Sequence, residues 1–282
     1  MTFVFAPASP ATAGTTPTQE TVVALHGSAS APSQWRHLAA GLQRDLTVVT
    51  PALPGYGDDH DQSTGRPQIL AQIAKKIMQD VAVHADPVHL VGHSFGGAVA
   101  LKMASMFPDK VRSLTLIEPA AFNVIWNSCG ISTPKTARFN QTVRQSRVAL
   151  KAGNATEAMA IFTDFWNGSG FWHRIGADQR PRMTRHATQI HDDFVALVSD
   201  RFTPADAARA GCPVLCISGD RSPVEIRDIT SLLAQQLPCF HHETITGAGH
   251  MVPITHADIV TPMIGEFLAK AGNECQKYRC AA

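Results

Sequence analysis

The sequence predicts an α/β protein with a mostly parallel β-sheet flanked by helices. Two observations carry this prediction. Short apolar runs that end at glycine or proline alternate with segments of helical periodicity, which is typical of strands joined by crossover helices. The alternation lapses between residues 119 and 210, where the pattern is helical and rich in aromatic side chains. A sheet with a late insertion of helices explains both observations.

The first part of the chain gives two strands and two helices. Residues 22–25 and 46–49 are predicted strands, with a helix over residues 32–42 between them. Residues 67–83 are predicted to be helical because large apolar side chains recur every fourth residue. These apolar positions are Ile69, Ile73, Ile77 and Val81.

The remaining elements follow in the same order around the aromatic segment. Asn154 is placed to cap a helix that contains Ala158, Ile161, Phe162 and Phe165. The predicted strands are residues 88–91, 111–117, 214–217 and 243–245, and the predicted helices of the second half are residues 224–237 and 255–268. A further helix is expected after residue 94, ending before Pro108.

The composition excludes several classes of partner. The 282 residues have a formal net charge of +1, so nothing favours binding to nucleic acid or to an anionic membrane. No apolar stretch reaches the roughly 20 residues of a transmembrane helix, and residues 1–17 lack the pattern of a secretory signal. The six cysteines form no CxxC pair. We therefore expect a cytoplasmic protein that acts on a small molecule without a metal or cofactor.

A nucleophile is indicated by the sequence Gly92-His93-Ser94-Phe95-Gly96. This is a G-x-S-x-G pattern between a predicted strand and a predicted helix, the context of a sharp strand-to-helix turn. Glycines on both sides of the serine let strand and helix approach closely. The turn lifts the Ser94 hydroxyl above the carboxyl edge of the sheet, where open parallel sheets bind ligands.

A base and an oxyanion site can be proposed from other loops. His250 lies in the glycine-rich loop between the last strand and the last helix, from which an imidazole can reach Ser94 and activate it. An oxyanion needs two backbone N–H donors. Phe95 at the start of the nucleophile helix is one candidate, and Ser28, which follows His26-Gly27 after the first strand, is the other.

These motifs together resemble the α/β-hydrolase family, in particular its serine-nucleophile, cap-bearing bacterial members. The resemblance implies an eight-stranded sheet, a Ser–acid–His triad and an inserted helical cap. It implies a core of residues 1–118 and 211–282 with a cap of residues 119–210. The motifs occur in family order: His26-Gly27-Ser28, Pro54-Gly55-Tyr56-Gly57, Gly92 to Gly97, and Gly249-His250.

The acid of the triad departs from the family pattern. Many members carry an aspartate three residues after the glycine that here is Gly219, and this position is Ser222. Two carboxylates can replace it. Asp220 lies two residues earlier in the same turn, and Glu118 ends the strand after the nucleophile helix, an arrangement that resembles some haloalkane dehalogenases. A carboxylate that ends a buried strand needs a partner, yet the sequence leaves both candidates open.

The expected reaction is hydrolysis of an ester-type bond, a carboxylic ester or thioester, in an apolar small molecule. A serine at position 94 disfavours the chemistry of relatives with an aspartate nucleophile. Hydrolysis of a carbon–carbon bond in a vinylogous diketone is an alternative, and so is a non-catalytic ligand-binding homologue. Expected substrate-contacting residues are Gly27, Trp35, Phe122, Phe165, Trp166 and Met251.

Overall fold

A single parallel sheet organises the protein. The computed structural model describes residues 20–42, 46–56, 69–81, 87–130, 133–237 and 239–278. Its strands are β1 (Thr21–Leu25), β2 (Thr47–Val49), β3 (Val88–His93), β4 (Val111–Ile117), β5 (Val214–Gly219) and β6 (Phe240–Ile245). They pair in the order β2-β1-β3-β4-β5-β6, and every pair is parallel.

Thirteen α-helices surround the sheet within these ranges. They are α1 (Arg36–Leu42), α2 (Leu70–Val81), α3 (Phe95–Met106), α4 (Phe122–Cys129), α5 (Pro134–Lys151), α6 (Ala155–Asn167), α7 (Phe171–Arg174), α8 (Arg180–Thr184), α9 (Ala187–Ser199), α10 (Pro204–Ala208), α11 (Val224–Gln236), α12 (Val252–Thr255) and α13 (Ala257–Tyr278). Helices α4 to α10 all lie between β4 and β5, and we refer to residues 119–210 as the helical segment.

The central strands are buried because helices cover both faces of the sheet. Strands β1, β3 and β5 are buried at every residue, which explains why they are continuous apolar runs instead of alternating patterns. The register places Ile117 of β4 beside His93 of β3 and Ile217 of β5. Residues that follow these three strands therefore meet at one edge of the sheet.

Two hydrophobic clusters form the core, one on each side of the sheet. The larger one continues from α2 and α3 into the helical segment and reaches Phe122, Phe165 and Trp166. The smaller one packs α1 and α13 on the sheet and contains Trp35. The prediction that Trp35 contributes to an aromatic substrate pocket is therefore wrong, because its side chain lies in the other cluster.

The predicted α/β class with a parallel sheet is confirmed, with differences at particular elements. The described residues form six strands where eight were expected; residues 1–19 lie outside the described ranges, as do Gly57 and residues 67–68 and 82–83. The predicted helix 32–42 is a 3₁₀ helix, Pro32–Trp35, followed by α1. Ile69 precedes α2 and is 43% exposed, so it is not part of the buried stripe.

Apart from the last helix, which extends to Tyr278, the remaining element predictions agree with the structure to within a few residues. Asn154 caps α6 as expected, its side chain accepting a hydrogen bond from the Glu157 N–H. The predicted last helix, residues 255–268, corresponds to the short helix α12 followed by α13. Among the described residues, no helix is both long and apolar enough to cross a membrane.

Candidate active site

Ser94 occupies the turn between β3 and α3. Its backbone has φ 54° and ψ −120°, a conformation that side-chain-bearing residues rarely adopt. Neighbouring glycines make the turn possible: a Cβ at Gly92 would lie 2.4 Å from the Gly96 carbonyl oxygen. A Cβ at Gly96 would lie 2.4 Å from the carbonyl oxygen of Leu25. The G-x-S-x-G pattern therefore reflects the contact of α3 with β1 and β3.

His250 reaches Ser94 from the loop that follows β6. Its Nε2 lies 3.0 Å from Ser94 Oγ, and the imidazole is only 3% exposed. The ring of His93 stabilises this loop, because His93 Nε2–H donates to the His250 carbonyl oxygen at 2.9 Å. Burial lowers the pKa of His93 to about 3, so this side chain is neutral near pH 7 and can only donate from one nitrogen.

Glu118 lies on the opposite side of the His250 ring. The His250 Nδ1 is 3.1 Å from Glu118 Oε2, and Glu118 is fully buried. The other carboxylate oxygen, Oε1, accepts hydrogen bonds from the Gly219 N–H and the Ser222 hydroxyl, both at 2.7 Å. Three donors therefore surround a carboxylate that would otherwise be costly to bury.

Asp220, the second candidate acid, points elsewhere. Its side chain is exposed, and its Oδ1 accepts a hydrogen bond from the Gly247 N–H at 2.8 Å. This contact joins the turn after β5 to the glycine-rich loop that carries His250. The structure brings Glu118, and not Asp220, to the imidazole. Ser222, at the position where the family resemblance implies an aspartate, contacts the same carboxylate through its hydroxyl.

The loop after β1 lies directly against the serine. A Cβ at Gly27 would be 3.2 Å from Ser94 Cβ and 3.0 Å from His93 Nδ1, so the loop is in tight contact with the serine. The backbone of Ser28, the expected oxyanion donor, follows immediately, and Ala29 has φ 56°. Phe95, the other expected donor, is the first residue of α3, where backbone N–H groups have no partner within the helix.

Aromatic side chains of the helical segment cover the imidazole. The ring of Trp166 stacks on His250 with centroids 3.9 Å apart and an angle of 16° between the planes. Phe165 contacts Trp166 edge-to-face at 4.8 Å, and Phe122 is 6.1 Å from the same indole. Met251, next in the chain after His250, is partly buried. Ser94 is only 5% exposed beneath this cover.

Positive φ angles coincide with this site. Apart from glycines, the described residues with φ in the left-handed region are Ala29, Ser94 and Glu118. They belong to the loop after β1, the strand-to-helix turn and the end of β4. Each such residue carries a backbone strain of the order of 1–3 kcal/mol, which commonly marks functional positions.

Three polar residues near the site are not among the predicted site residues. Asp193 of α9 accepts hydrogen bonds from the hydroxyls of Ser28 and Tyr56, and burial raises its pKa to about 6. Burial also raises the pKa of Tyr56 and lowers that of His26 to about 4. Tyr56 and His26 belong to motifs on which the family resemblance rests, whereas Asp193 belongs to none of them.

The described residues contain no group of three or more His, Cys, Asp or Glu side chains placed to hold a metal ion.

The fold and the order of the motifs are those of a known protein family. The sequence profile of the alpha/beta hydrolase family matches residues 22–261. The chain belongs to the alpha/beta hydrolase family.

Similar members of this family carry out different reactions. The 2-hydroxymuconate semialdehyde hydrolase of Pseudomonas sp. (strain CF600) is 25% identical over 265 residues, which cover 88% of this chain and 86% of that protein. Monoacylglycerol lipase abhd6-B of Xenopus laevis is 28% identical over 135 residues, or 47% of this chain and 36% of the lipase. Membership of the family therefore does not determine the substrate of this protein.

Solved structures agree on the fold. The enol-lactonase from Burkholderia xenovorans LB400 superimposes with a TM-score of 0.66 at 18% identity, covering 89% of this chain and 92% of that chain. At this level of identity the similarity concerns the arrangement of strands and helices alone.

Proposed function

We propose that this protein is a serine hydrolase with the triad Ser94, His250 and Glu118. The observation that supports the proposal most strongly is the chain of hydrogen bonds through the imidazole, 3.0 Å to Ser94 Oγ and 3.1 Å to Glu118 Oε2. All three side chains are buried, and hydrogen bonds are electrostatically stronger in such surroundings than in water. Nucleophile, base and orienting acid have the geometry on which such triads depend.

The proton path follows from the two nitrogens of His250. Glu118 accepts from Nδ1–H, which leaves Nε2 unprotonated and able to take the Ser94 proton. Ser94 Oγ then attacks the carbonyl carbon of the substrate, the bond from this carbon to the leaving oxygen of an ester or sulfur of a thioester breaks, and the protonated imidazole gives its proton to that leaving atom. A water molecule, deprotonated by the same imidazole, attacks the acyl-enzyme, releases the acid and regenerates Ser94.

The negative charge on the carbonyl oxygen needs stabilisation during both steps. We propose the backbone N–H groups of Ser28 and Phe95 as the donors. Gly27 brings the first loop into contact with Ser94, and the N-terminus of α3 adds the positive end of a helix dipole. Donors of this kind contribute roughly 10²–10³-fold each to the rate.

We further propose that the helical segment, residues 119–210, is a cap over a core made of the rest of the chain. The stack of Trp166 on His250 supports this role, because it closes the space above the triad. Phe122 and Phe165 extend the apolar surface behind the indole. The surface favours an ester or thioester of an apolar small molecule, with Gly27 and Met251 bordering the reacting atoms.

A carbon–carbon bond hydrolase is the second candidate. The similarity to the 2-hydroxymuconate semialdehyde hydrolase over 88% of this chain favours it, and the same triad would serve. The non-catalytic alternative depended on the missing acid at position 222. Because Glu118 supplies a buried carboxylate to His250, that alternative has lost its supporting observation.

Active-site labelling tests the proposal. A fluorophosphonate probe is expected to label the wild-type protein and to leave Ser94→Ala unlabelled. p-Nitrophenyl acetate, butyrate and octanoate, together with one dienoate diketone, then distinguish the two reactions. Faster hydrolysis of the diketone than of every ester would favour the second candidate. A folded wild-type protein that neither reacts with the probe nor turns over any of these substrates would refute the proposal.

The cytoplasmic location expected from the sequence stays a prediction.

A further inference from the structure

A buried carboxylate of α9 lies beside the loop that carries Ser28. Asp193 is 2% exposed, and its Oδ2 accepts hydrogen bonds from Ser28 Oγ at 2.5 Å and from the Tyr56 hydroxyl at 2.6 Å. Its Oδ1 accepts one from Gln189 Nε2 at 3.0 Å. In the part of the chain that the structure describes, no lysine or arginine pairs with it. Hydrogen bonds alone satisfy this carboxylate.

The partners of Asp193 come from separate parts of the fold. Ser28 follows β1, and Tyr56 lies in the loop after β2, whereas Asp193 and Gln189 lie on the helical segment. The second loop is packed tightly on α9, because a Cβ at Gly55 would lie 2.8 Å from Gln189 Cγ. A single carboxylate therefore holds two loops of the sheet edge against the helical segment.

The loop after β1 needs such support. Ala29 has φ 56°, which is unfavourable for a residue with a Cβ unless the surroundings enforce it. The neighbouring Gly27 amide is held by Gln34 Oε1 at 3.3 Å. The Ser28 side chain is a further attachment point of the turn, and its hydroxyl donates to Asp193.

We propose that Asp193 is a positioning residue for the oxyanion site, acting through the Ser28 hydroxyl to hold the Ser28 N–H where the substrate oxygen becomes negatively charged. The inference rests on the proposed serine-hydrolase function. Asp193 touches neither the triad nor, in this role, the substrate. Because it belongs to the helical segment, it links the position of that segment to the geometry of the oxyanion site.

The chemistry explains why a carboxylate suits this position. Two hydroxyl donors converge on one oxygen atom, which an ionised carboxylate can accept and an amide nitrogen cannot. In Asp193→Asn, the single amide oxygen can still accept from the Ser28 and Tyr56 hydroxyls, but the negative charge that strengthens these hydrogen bonds is lost, and the new NH₂ group faces the Gln189 Nε2 donor. A loop shift of about 1 Å is sufficient to reduce a rate about a hundredfold.

Steady-state kinetics with p-nitrophenyl butyrate test the inference. Asp193→Asn and Ser28→Ala are each expected to lower kcat about 10–100-fold, while KM changes by less than about threefold, because ground-state binding does not use the oxyanion site. Affinity for an aryl trifluoromethyl ketone, whose adduct with Ser94 carries an oxyanion, should fall by a similar factor. The double variant should be no slower than the slower single variant, since both act through one hydrogen bond.

A matched control is available on the same helical segment. Asp200 is also a buried carboxylate, but it pairs with Lys102 at 2.9 Å and Asn123 at 3.0 Å, remote from Ser28. Asp200→Asn should unfold more easily and keep kcat within about twofold of the wild type. The Ser28→Ala variant, which retains the backbone amide, is available should Asp193→Asn fail to fold.

The outcomes separate this inference from the proposed function. An active wild type whose Asp193→Asn and Ser28→Ala variants keep kcat and ketone affinity within twofold would overturn the positioning role alone, as would multiplicative losses in the double variant. An inactive wild type that resists fluorophosphonate would overturn the serine-hydrolase proposal itself.

Discussion

Replacing Glu118 by glutamine should abolish the proposed triad while leaving its shape intact. The Gly219 N–H and the Ser222 hydroxyl both donate to Oε1 at 2.7 Å, so the glutamine oxygen is expected to occupy that position. Its NH₂ group then faces His250 Nδ1, where the wild-type protein has Oε2. A donor at this point selects the imidazole tautomer with the proton on Nε2, which cannot accept the Ser94 proton.

The size of the effect follows from this wrong tautomer. Conversion of the triad acid to its amide lowers kcat by roughly 10⁴-fold in enzymes of this kind. That loss corresponds to about 5 kcal/mol of transition-state stabilisation, because a tenfold change in rate is about 1.36 kcal/mol. Asp220→Asn is the matched control, since it removes a nearby carboxylate that contacts Gly247 and not His250.

The assay is hydrolysis of p-nitrophenyl butyrate, with thermal unfolding measured for every variant. Glu118→Gln is expected to fall about 10³–10⁴-fold in kcat and Asp220→Asn to stay within about fivefold of the wild type. Adding Ser222→Asp to Glu118→Gln returns a carboxylate to the vicinity of His250 and should recover at least about tenfold in rate. A folded Glu118→Gln variant with nearly full activity would refute the assignment of Glu118 as the acid. A large loss of activity in Asp220→Asn would instead assign that role to Asp220.

Three further predictions concern the same region. Ser222→Ala should lower kcat about tenfold at unchanged KM, the effect of one hydrogen bond to the charged Glu118, and Ser222→Thr should retain the rate; equal kcat in both variants would contradict this. Gly96→Ala should reduce the urea-unfolding free energy by about 3 kcal/mol, because its Cβ would meet the His26 carbonyl oxygen at 2.4 Å, whereas an unchanged value would argue against the tight turn. Burial lowers the pKa of His26 to about 4 and of His93 to about 3 from 6.5; the unfolded chain therefore binds more protons between these limits, and unfolding free energy should fall as pH drops from about 6.5 to 4. Urea titrations at pH 7, 5.5 and 4 check the last point, which a flat profile would refute.

Local sequence patterns sufficed to predict the loops that meet at the sheet edge. Ser94 is fixed by glycines whose missing side chains the packing requires, and His250 by its place after the last strand. The choice between Glu118 and Asp220 could not be made from sequence, because it depends on where a side chain points at the end of a strand or within a turn. No periodic pattern in the sequence indicates the orientation of either side chain.

Side chains on the helices were harder to predict. Helical spacing identified Phe165 as an apolar position, but the same spacing cannot tell packing within the helical segment from contact with the triad. Trp35 illustrates the error, since its neighbours in sequence do not show which face of the sheet it covers. Asp193 was missed because the two hydroxyls that it binds, those of Ser28 and Tyr56, are distant in the chain. Its third partner, Gln189, is four residues earlier on the same helix, and this spacing alone does not indicate a site.

The positive φ angles of Ala29, Ser94 and Glu118 have a consequence for engineering. Each of these residues carries a backbone strain of about 1–3 kcal/mol, which persists because the surrounding structure enforces the conformation. Sequence changes that stabilise the sheet elsewhere leave this backbone strain in place. Changes that let the three turns adopt relaxed backbone angles stabilise the protein by removing the strain. Ala29→Gly is the mildest such change. Thermostability selections on this protein should therefore be paired with an activity screen, since the easiest gains lie where the chemistry is proposed to occur.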